Sequence, residues 1–221
     1  MTVTTQKLSN LSFFAQLGDE AMLDILPHLH ERLVAAGQVI LIKEEPCQAV
    51  YFVARGLVRT LRRSPDGREQ VLAYFGPGSV FDLIPAVDGG PHLNTVEAVI
   101  DTVLYVMPCQ IFRQIIAGSP QVASTVTELL AVDVRRLSDM VEDLALHTVS
   151  TRLARFLLNQ VESPPLTPRR WTQEEIAAHI GTAREMISRT LRAWTKAGLI
   201  RRERGRVVIV DQAGLEREAQ G

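Results

Sequence analysis

The sequence predicts an α+β chain in which an all-β sandwich or barrel, one long helix and a winged helix-turn-helix follow one another. Three observations lead to this fold class. Short runs rich in Val, Ile, Tyr and Phe, separated by Gly and Pro, occupy residues 34–108. A stretch without Gly or Pro, with apolar residues at helical spacing, covers 121–147. Two short helical segments joined by a glycine-containing turn lie within 173–197.

The part assigned to the β domain is 1–120. Its first stretch, Leu8 to Leu33, is predicted to form short helices interrupted at Pro27. Apolar runs such as QVILIK, VYFVARGLVRTLRR and TVLYVM predict the strands that follow. The SPDG segment at 64–67 predicts a turn between two antiparallel strands, because Pro presets one turn dihedral and Gly accepts a positive φ.

The long helix, predicted from about Gln121 to about His147, carries two apolar stripes. One stripe has the alternating spacing of four and three that is typical of a heptad seam. Its central residues are Leu130, Val134, Leu137, Val141 and Leu144. The second stripe contains Val122, Val126, Leu129 and Val132. We expect one stripe to pack on the β domain and the seam to pair with a second copy. Burial of both stripes within one chain is the alternative. Residues 121–148 are assigned to this dimerisation helix and hinge.

The remaining residues, 149–221, predict a winged helix-turn-helix. A helix from Ser150 to Val161 is followed by the proline-rich segment SPPLTPRR. Thr172 and Glu175 have the spacing of a capping box at the start of the next helix, which ends at Gly181. A second helix begins after a three-residue turn. The segments LI, RRERGR and VVIV then predict a hairpin that forms the wing.

Basic charge is concentrated in this C-terminal module. Residues 150–206 contain 12 Lys and Arg against 5 Asp and Glu, whereas 1–149 contain 11 against 17. A separate basic module is typical of proteins that bind a polyanion. A solvated, arginine-rich surface is the alternative that charge alone leaves open.

The polar side of the second helix suits double-stranded DNA. Arg can donate two hydrogen bonds to guanine, and Glu can accept one from cytosine. Arginines on the wing suit phosphates, which position a protein without reading sequence. The residues predicted to contact DNA are Thr182, Arg184, Glu185, Ser188, Arg189, Arg201, Arg202 and Arg204. The alternative to DNA binding is that the winged helix makes protein contacts, in a sensor or scaffold protein that only dimerises.

The order of these parts resembles the superfamily of the cyclic-AMP receptor protein and the fumarate–nitrate reduction regulator (CRP/FNR). The resemblance covers about Leu11 to about Val210 and includes FFAQL, IFRQIIAGSP, VEDLALHTVSTRLARFLL and the helix-turn-helix. It implies a cyclic-nucleotide-binding-like jelly roll, called a β-roll, in a cytoplasmic homodimer that regulates transcription. By the same resemblance, Arg184, Glu185, Ser188 and Arg189 read a palindromic site of TGTGA or TTGA type, and RNA polymerase is a further partner of an activator.

The effector is not determined by this resemblance. Family members bind a cyclic nucleotide in a cassette that corresponds to 78–99 here. Leu83 stands where the family has Glu, and Leu93–Asn94 where it has the phosphate-binding Arg, which argues against cyclic AMP. No cysteine precedes Cys47, which argues against the iron–sulfur cluster of the oxygen-sensing branch.

Haem that responds to nitric oxide is the sensor hypothesis that we favour. It rests on likeness to the branch that lacks cluster cysteines. Ligand spacing gives it no support, because Asp82 and Ile84 stand where one haem branch has its Cys-x-His pair. The available imidazoles are His28, His30, His92 and His147, each expected to lie at the surface or at the hinge.

Other regulatory inputs remain open. Cys47 and Cys109 fit a reducing compartment and lack a metal-type spacing; we expect Cys109 to be buried and Cys47 to lie in a loop. A redox-responsive regulator and an effector-independent regulator are both alternatives. The chain shows no long apolar run, secretory signal or hydrolase, phosphate-loop or zinc-protease motif, so neither a membrane partner nor catalysis is expected.

Overall fold

The computed structural model describes Leu8 and residues 11–15, 17–162, 171–203 and 206–220. These residues form two compact units. The first comprises the described residues up to Arg62 together with Leu72–Arg136, and the second comprises Arg63–Val71 and the described residues from Leu137 onward. The proline-rich segment SPPLTPRR, which the sequence places inside the C-terminal domain, lies outside the described residues.

The first unit begins with two short helices, α1 (Ser12–Ala15) and α2 (Asp19–Ile25), and a 3₁₀ turn at Leu26–His28. The predicted helical stretch ends earlier than expected, because strand β1 (His30–Val34) follows at once and pairs with a later strand. Its sequence, HERLV, lacks the apolar alternation that predicts a strand, and only Val34 of the five residues is buried.

Together with β1, the seven strands that follow form a β-roll of two four-stranded sheets. Their bounds are β2 (Val39–Leu41), β3 (Ala49–Arg55), β4 (Val58–Arg63), β5 (Glu69–Phe75), β6 (Val80–Phe81), β7 (Thr95–Ala98) and β8 (Thr102–Pro108). The sheet orders are β1-β8-β3-β6 and β2-β7-β4-β5. The SPDG turn joins β4 to β5 as predicted. Gly67 adopts a φ of 83° there, and its N–H donates to the Ser64 carbonyl at 2.9 Å.

Three helices flank the strands: α3 (Leu83–Asp88), α4 (Cys109–Gly118) and α5 (Pro120–Leu146). The first of these was not predicted. On α5, Val122 and Val126 are buried in one apolar core with Phe52 and Phe112. One stripe of α5 therefore packs on the β-roll as expected, except that Val132 of the same stripe is exposed.

The second unit contains α6 (Val149–Glu162), α7 (Gln173–Ile180), α8 (Arg184–Lys196), the hairpin β9 (Ile200–Glu203) and β10 (Arg206–Ile209), and the unpredicted helix α9 (Gln212–Gln220). It has its own apolar core. Among the described residues, no single helix is both long and apolar enough to cross a membrane. Helices α4 and α5, which meet at 114°, satisfy both conditions only when taken together.

Candidate nucleic-acid interface

The start of α7 is stabilised by reciprocal hydrogen bonds. The Thr172 hydroxyl accepts from the Glu175 N–H at 3.1 Å, and the Glu175 carboxylate accepts from the Thr172 N–H at 2.8 Å. Each bond satisfies a backbone donor that has no partner within the helix. The helix ends at Gly181, whose φ of 73° lets the chain reverse, and the Thr182 N–H donates back to the Ala177 carbonyl at 3.0 Å. This turn sets the direction in which α8 leaves.

One side of α8 packs into the domain. Ile187, Leu191 and Trp194 are almost fully buried, and their spacing of four and three places them on one face. They share a core with Leu153 of α6 and Ile176 of α7. Burial of this face fixes the rotation of α8 about its axis, so the opposite face must point to solvent.

The opposite face of α8 carries the predicted base-reading residues. Arg184, Glu185 and Arg189 are exposed, and their side chains form no hydrogen bond or ion pair with any other described residue. Ser188 is half-buried, as is Thr182 in the preceding turn. Two guanidinium groups and a carboxylate are thus presented within the first two turns of the helix with no partner in the part of the chain that the structure describes. They can form charge-assisted hydrogen bonds with an external ligand.

The wing presents its arginines unequally. Arg201 forms an ion pair with Glu203 at 2.6 Å, so part of its charge is already compensated. Arg202 follows it directly along the strand and therefore points to the other face of the hairpin. Arg202 and Arg206 are both exposed. The predicted contact Arg204 lies outside the described residues.

The turn between the two helices is also supported from α6, by a residue that the sequence did not single out. The Arg152 guanidinium donates to the Asp143 and His147 carbonyls near the end of α5, at 3.2 and 2.9 Å, and to the Gly181 carbonyl at 3.3 Å. Burial lowers the pKa of Arg152, an effect that Asp143 opposes. Three carbonyls are thereby held by one cation.

An aromatic cluster lies behind α7. The rings of Phe156, Trp171 and His179 have centroids 5.1 to 5.5 Å apart, and the Trp171 indole donates to the Gln160 side chain at 3.1 Å. Burial lowers the pKa of the His179 imidazole from its ordinary value of 6.5. The neutral imidazole is therefore the form compatible with this packing. No local pattern marks His179, because its neighbours come from three separate segments.

Two family models match the chain. One describes a cyclic nucleotide-binding domain and matches residues 31–119, and the other describes a Crp-like helix-turn-helix domain and matches 151–218. The first therefore covers most of the β-roll, and the second covers the helix-turn-helix, the wing and most of α9.

Two relatives are similar over most of their length. A "Cyclic AMP receptor protein" of Thermus thermophilus is 33% identical over 198 residues, which are 89% of this chain and 91% of the relative. A "CRP-like cAMP-activated global transcriptional regulator" of Mycobacterium tuberculosis is 30% identical over 191 residues, 83% and 85% of the two chains. The crystal structure of a CRP/FNR-family regulator of Eubacterium rectale aligns with a TM-score of 0.79 and 27% identity, covering 96% of this chain and 100% of that one.

Proposed function

The chain belongs to the CRP/FNR family of transcription regulators with a DNA-binding helix-turn-helix, and we propose that it acts in the cytoplasm as a homodimer that reads a palindromic DNA site. The observation that carries this proposal is the outer face of α8, where Arg184, Glu185 and Arg189 have no partner among the described residues.

Base recognition is assigned to the N-terminal half of α8. In helix-turn-helix proteins the first residues of the recognition helix contact base edges in the major groove. Arg184 is the first residue of α8, and Glu185, Ser188 and Arg189 follow within its next two turns. Thr182 and the wing residues Arg201, Arg202 and Arg204 are assigned to phosphates. We expect half-sites of TGTGA or TTGA type.

Dimerisation is assigned to the seam of α5. Val134, Leu137, Val141 and Leu144 are 66%, 38%, 66% and 42% exposed, whereas Leu130 is half-buried and also packs toward the β-roll. A continuous apolar stripe on a charged helix surface is typical of a protein–protein contact. A two-fold dimer would require an inverted repeat whose half-site centres lie about one DNA turn, roughly 34 Å, apart.

The DNA proposal is tested by selecting bound fragments from random DNA and measuring the affinity of variants for the selected site and for scrambled DNA. Arg189→Ala is expected to reduce the ratio of the two affinities by about 5- to 150-fold, the equivalent of about 1–3 kcal/mol. Arg202→Ala is expected to weaken both affinities alike and to reduce the salt slope by about 1. Arg217→Ala is the matched control, because Arg217 is 73% exposed on α9 and is not one of the proposed contacts. A wild-type ratio in Arg189→Ala would refute the assignment.

The effector is assigned to the interface of the β-roll and α5. Both quoted relatives are named for cyclic AMP, but the cassette of this chain presents different groups. Leu83 is buried, and the Asn94 side chain accepts a hydrogen bond from Arg62 at 3.0 Å, so neither supplies the family's Glu or Arg. We retain haem with nitric oxide as the proposed effector. A haemin titration without a saturable Soret shift would end that assignment.

A redox-responsive regulator is the second candidate, and it has a specific observation in its favour. Cys47 and Cys109 form a disulfide within the β-roll unit. Peroxide treatment should then change DNA affinity in the wild-type protein and leave it unchanged in Cys109→Ser. An unchanged wild-type affinity would remove this candidate. RNA polymerase remains a proposed partner, to be tested by transcription in vitro from the selected site.

A further inference from the structure

A cluster of three different ligand types is buried in the β-roll unit. The Cys47 sulfur, an Asp82 carboxylate oxygen and a His92 imidazole nitrogen all lie within 4.8 Å of one another. The side chains of Asp82 and His92 are only 6% and 4% exposed. The expectation that His92 lies at the surface is therefore wrong. Cys47 belongs to a set of candidate metal ligands that its spacing in the sequence does not indicate.

The buried Asp82 and His92 side chains are paired with each other. Asp82 Oδ2 and His92 Nδ1 are 2.7 Å apart, an ion-pair distance, and neither atom has a further hydrogen-bond partner among the described residues. Burying polar atoms with so few hydrogen-bond partners costs free energy of folding. A carboxylate oxygen and an imidazole nitrogen that converge in a buried site, beside the Cys47 sulfur, are also in the arrangement that ligands of one cation adopt.

The backbone holds the three residues in place from distant segments. The His92 N–H donates to the Glu45 carbonyl at 2.9 Å, and Pro46 pairs with Pro91, which brings Cys47 beside His92. Asp82 follows β6, which pairs with β3. It adopts a φ of 64°, in the left-handed region that non-glycine residues seldom occupy. The ligand set is therefore built by tertiary structure.

We propose that Cys47, Asp82 and His92 bind Zn²⁺ when Cys47 is reduced, and that the Cys47–Cys109 disulfide abolishes this site. Thiolate, carboxylate and imidazole are the three side-chain ligands that zinc takes in proteins, and water completes a tetrahedron when three are present. A thiolate is required for the metal bond. Because a disulfide sulfur carries no thiolate, the disulfide and the metal compete for the same atom.

Conversion between the two states is a two-electron reaction. With hydrogen peroxide as the oxidant, one thiol is oxidised to a sulfenic acid with release of water, and the second thiol condenses with it to give the disulfide and a second water. When Cys47 starts as the zinc-bound thiolate, one proton is taken from solvent and Zn²⁺ leaves without changing its oxidation state. A dithiol reductant reverses the reaction by thiol–disulfide exchange.

The site would connect three parts of the β-roll unit. Asp82 lies directly before α3, His92 lies before β7, and Cys47 lies before β3. Asp82 and His92 both belong to the 78–99 segment, the part of the chain in which the family places its effector. Metal loading would add a side-chain link between that segment and the loop that contains Cys47, and disulfide formation would remove this link while the backbone pairing stays in place.

The experiment uses the full-length protein, reduced with a phosphine and desalted, and titrated with Co²⁺ and then with Zn²⁺. We expect about one metal ion per chain, with the thiolate-to-cobalt charge-transfer band and the visible bands of a tetrahedral site, displaced by Zn²⁺. Cys47→Ser should lose the charge-transfer band and bind at least about 10-fold more weakly. His92→Gln and Asp82→Asn should also weaken binding, and peroxide treatment of the wild type should abolish it.

Cys109→Ser is the decisive matched variant, because it keeps the three ligands and cannot form the disulfide. It should bind cobalt like the reduced wild type and should lose less affinity than the wild type after peroxide treatment. His28→Gln, which removes an exposed imidazole, should bind like the wild type. Thermal unfolding checks each variant, and the comparison of wild type with Cys109→Ser decides the outcome even if His92→Gln fails to fold.

Reduced wild-type protein that takes up no metal, or a Cys47→Ser variant with an unaltered cobalt spectrum, would overturn the proposal. Because the readout is metal binding in the β-roll unit, its failure leaves the DNA-binding proposal untouched. Conversely, a regulator that fails to select a DNA site can still bind the metal.

Discussion

Removing two valines from the α5 seam should weaken dimerisation by a predictable amount. Val134 and Val141 are each 66% exposed. Valine-to-alanine substitution removes two methyl-sized groups, each contributing about 0.8 kcal/mol when fully buried, so each site loses about 1 kcal/mol of interface burial. The dimer contains each site twice. Val134→Ala/Val141→Ala should therefore cost about 4 kcal/mol, or about a thousandfold in the dimerisation constant.

The assay is sedimentation equilibrium over a dilution series that spans the wild-type dissociation constant. Alanine has the highest helix propensity, so α5 itself should be retained, and circular dichroism checks this. Val132→Ala is the matched control, because Val132 is 61% exposed on the same helix but off the seam. If the double variant dimerises like the wild type, or if Val132→Ala is equally weakened, the assignment of the seam to the dimer interface is wrong.

Two further predictions concern the stability of the DNA-binding unit. Thr172→Ala removes one of the paired capping bonds, which should cost about 1 kcal/mol of stability and lower the melting temperature of this unit by about 4–8 °C. Thr190→Ala, which removes a mid-helix hydroxyl, is the control. Equal losses of stability in the two variants would contradict the capping argument. Burial lowers the pKa of His179 below its ordinary value of 6.5, so the unfolded chain binds a proton at this imidazole more readily than the folded chain does. The contribution of His179 to the free energy of unfolding should therefore be fully present above about pH 6.5 and be lost as the pH falls toward the lowered pKa. Denaturant unfolding of wild type and His179→Phe between pH 5 and 8 measures this, and a pH slope that persists unchanged in the variant would show that another group is responsible.

Much of the second unit was predictable because its signals are local. The capping box at Thr172 and Glu175, the left-handed Gly181 and the bounds of α7 all depend on residues within a few positions of one another. The polar face of α8 was also predictable, because helical periodicity alone separates Arg184, Glu185 and Arg189 from the buried Ile187 and Leu191.

Elements without a local apolar signal were missed. Strand β1 carries polar residues on both faces, β6 has only two residues, and α3 follows a positive-φ residue rather than an ordinary N-cap. Each forms because neighbouring segments supply its hydrogen bonds and its packing surface. Likewise Arg152 gains its role only where the end of α5 and the turn at Gly181 meet it.

The sequence by itself determined the order of the parts, the two stripes of the long helix and the polar face of the recognition helix, because these follow from periodicity and turn chemistry. Tertiary structure alone decided how far the packing stripe of α5 is buried, since Val122 and Val126 are covered and Val132 is exposed, and which groups come together in the β-roll. Cys47, the segment that contains Asp82 and His92, and Cys109 are well separated along the chain and share no motif. They meet because strand pairing closes long loops, and no local interaction encodes which loops will close against one another.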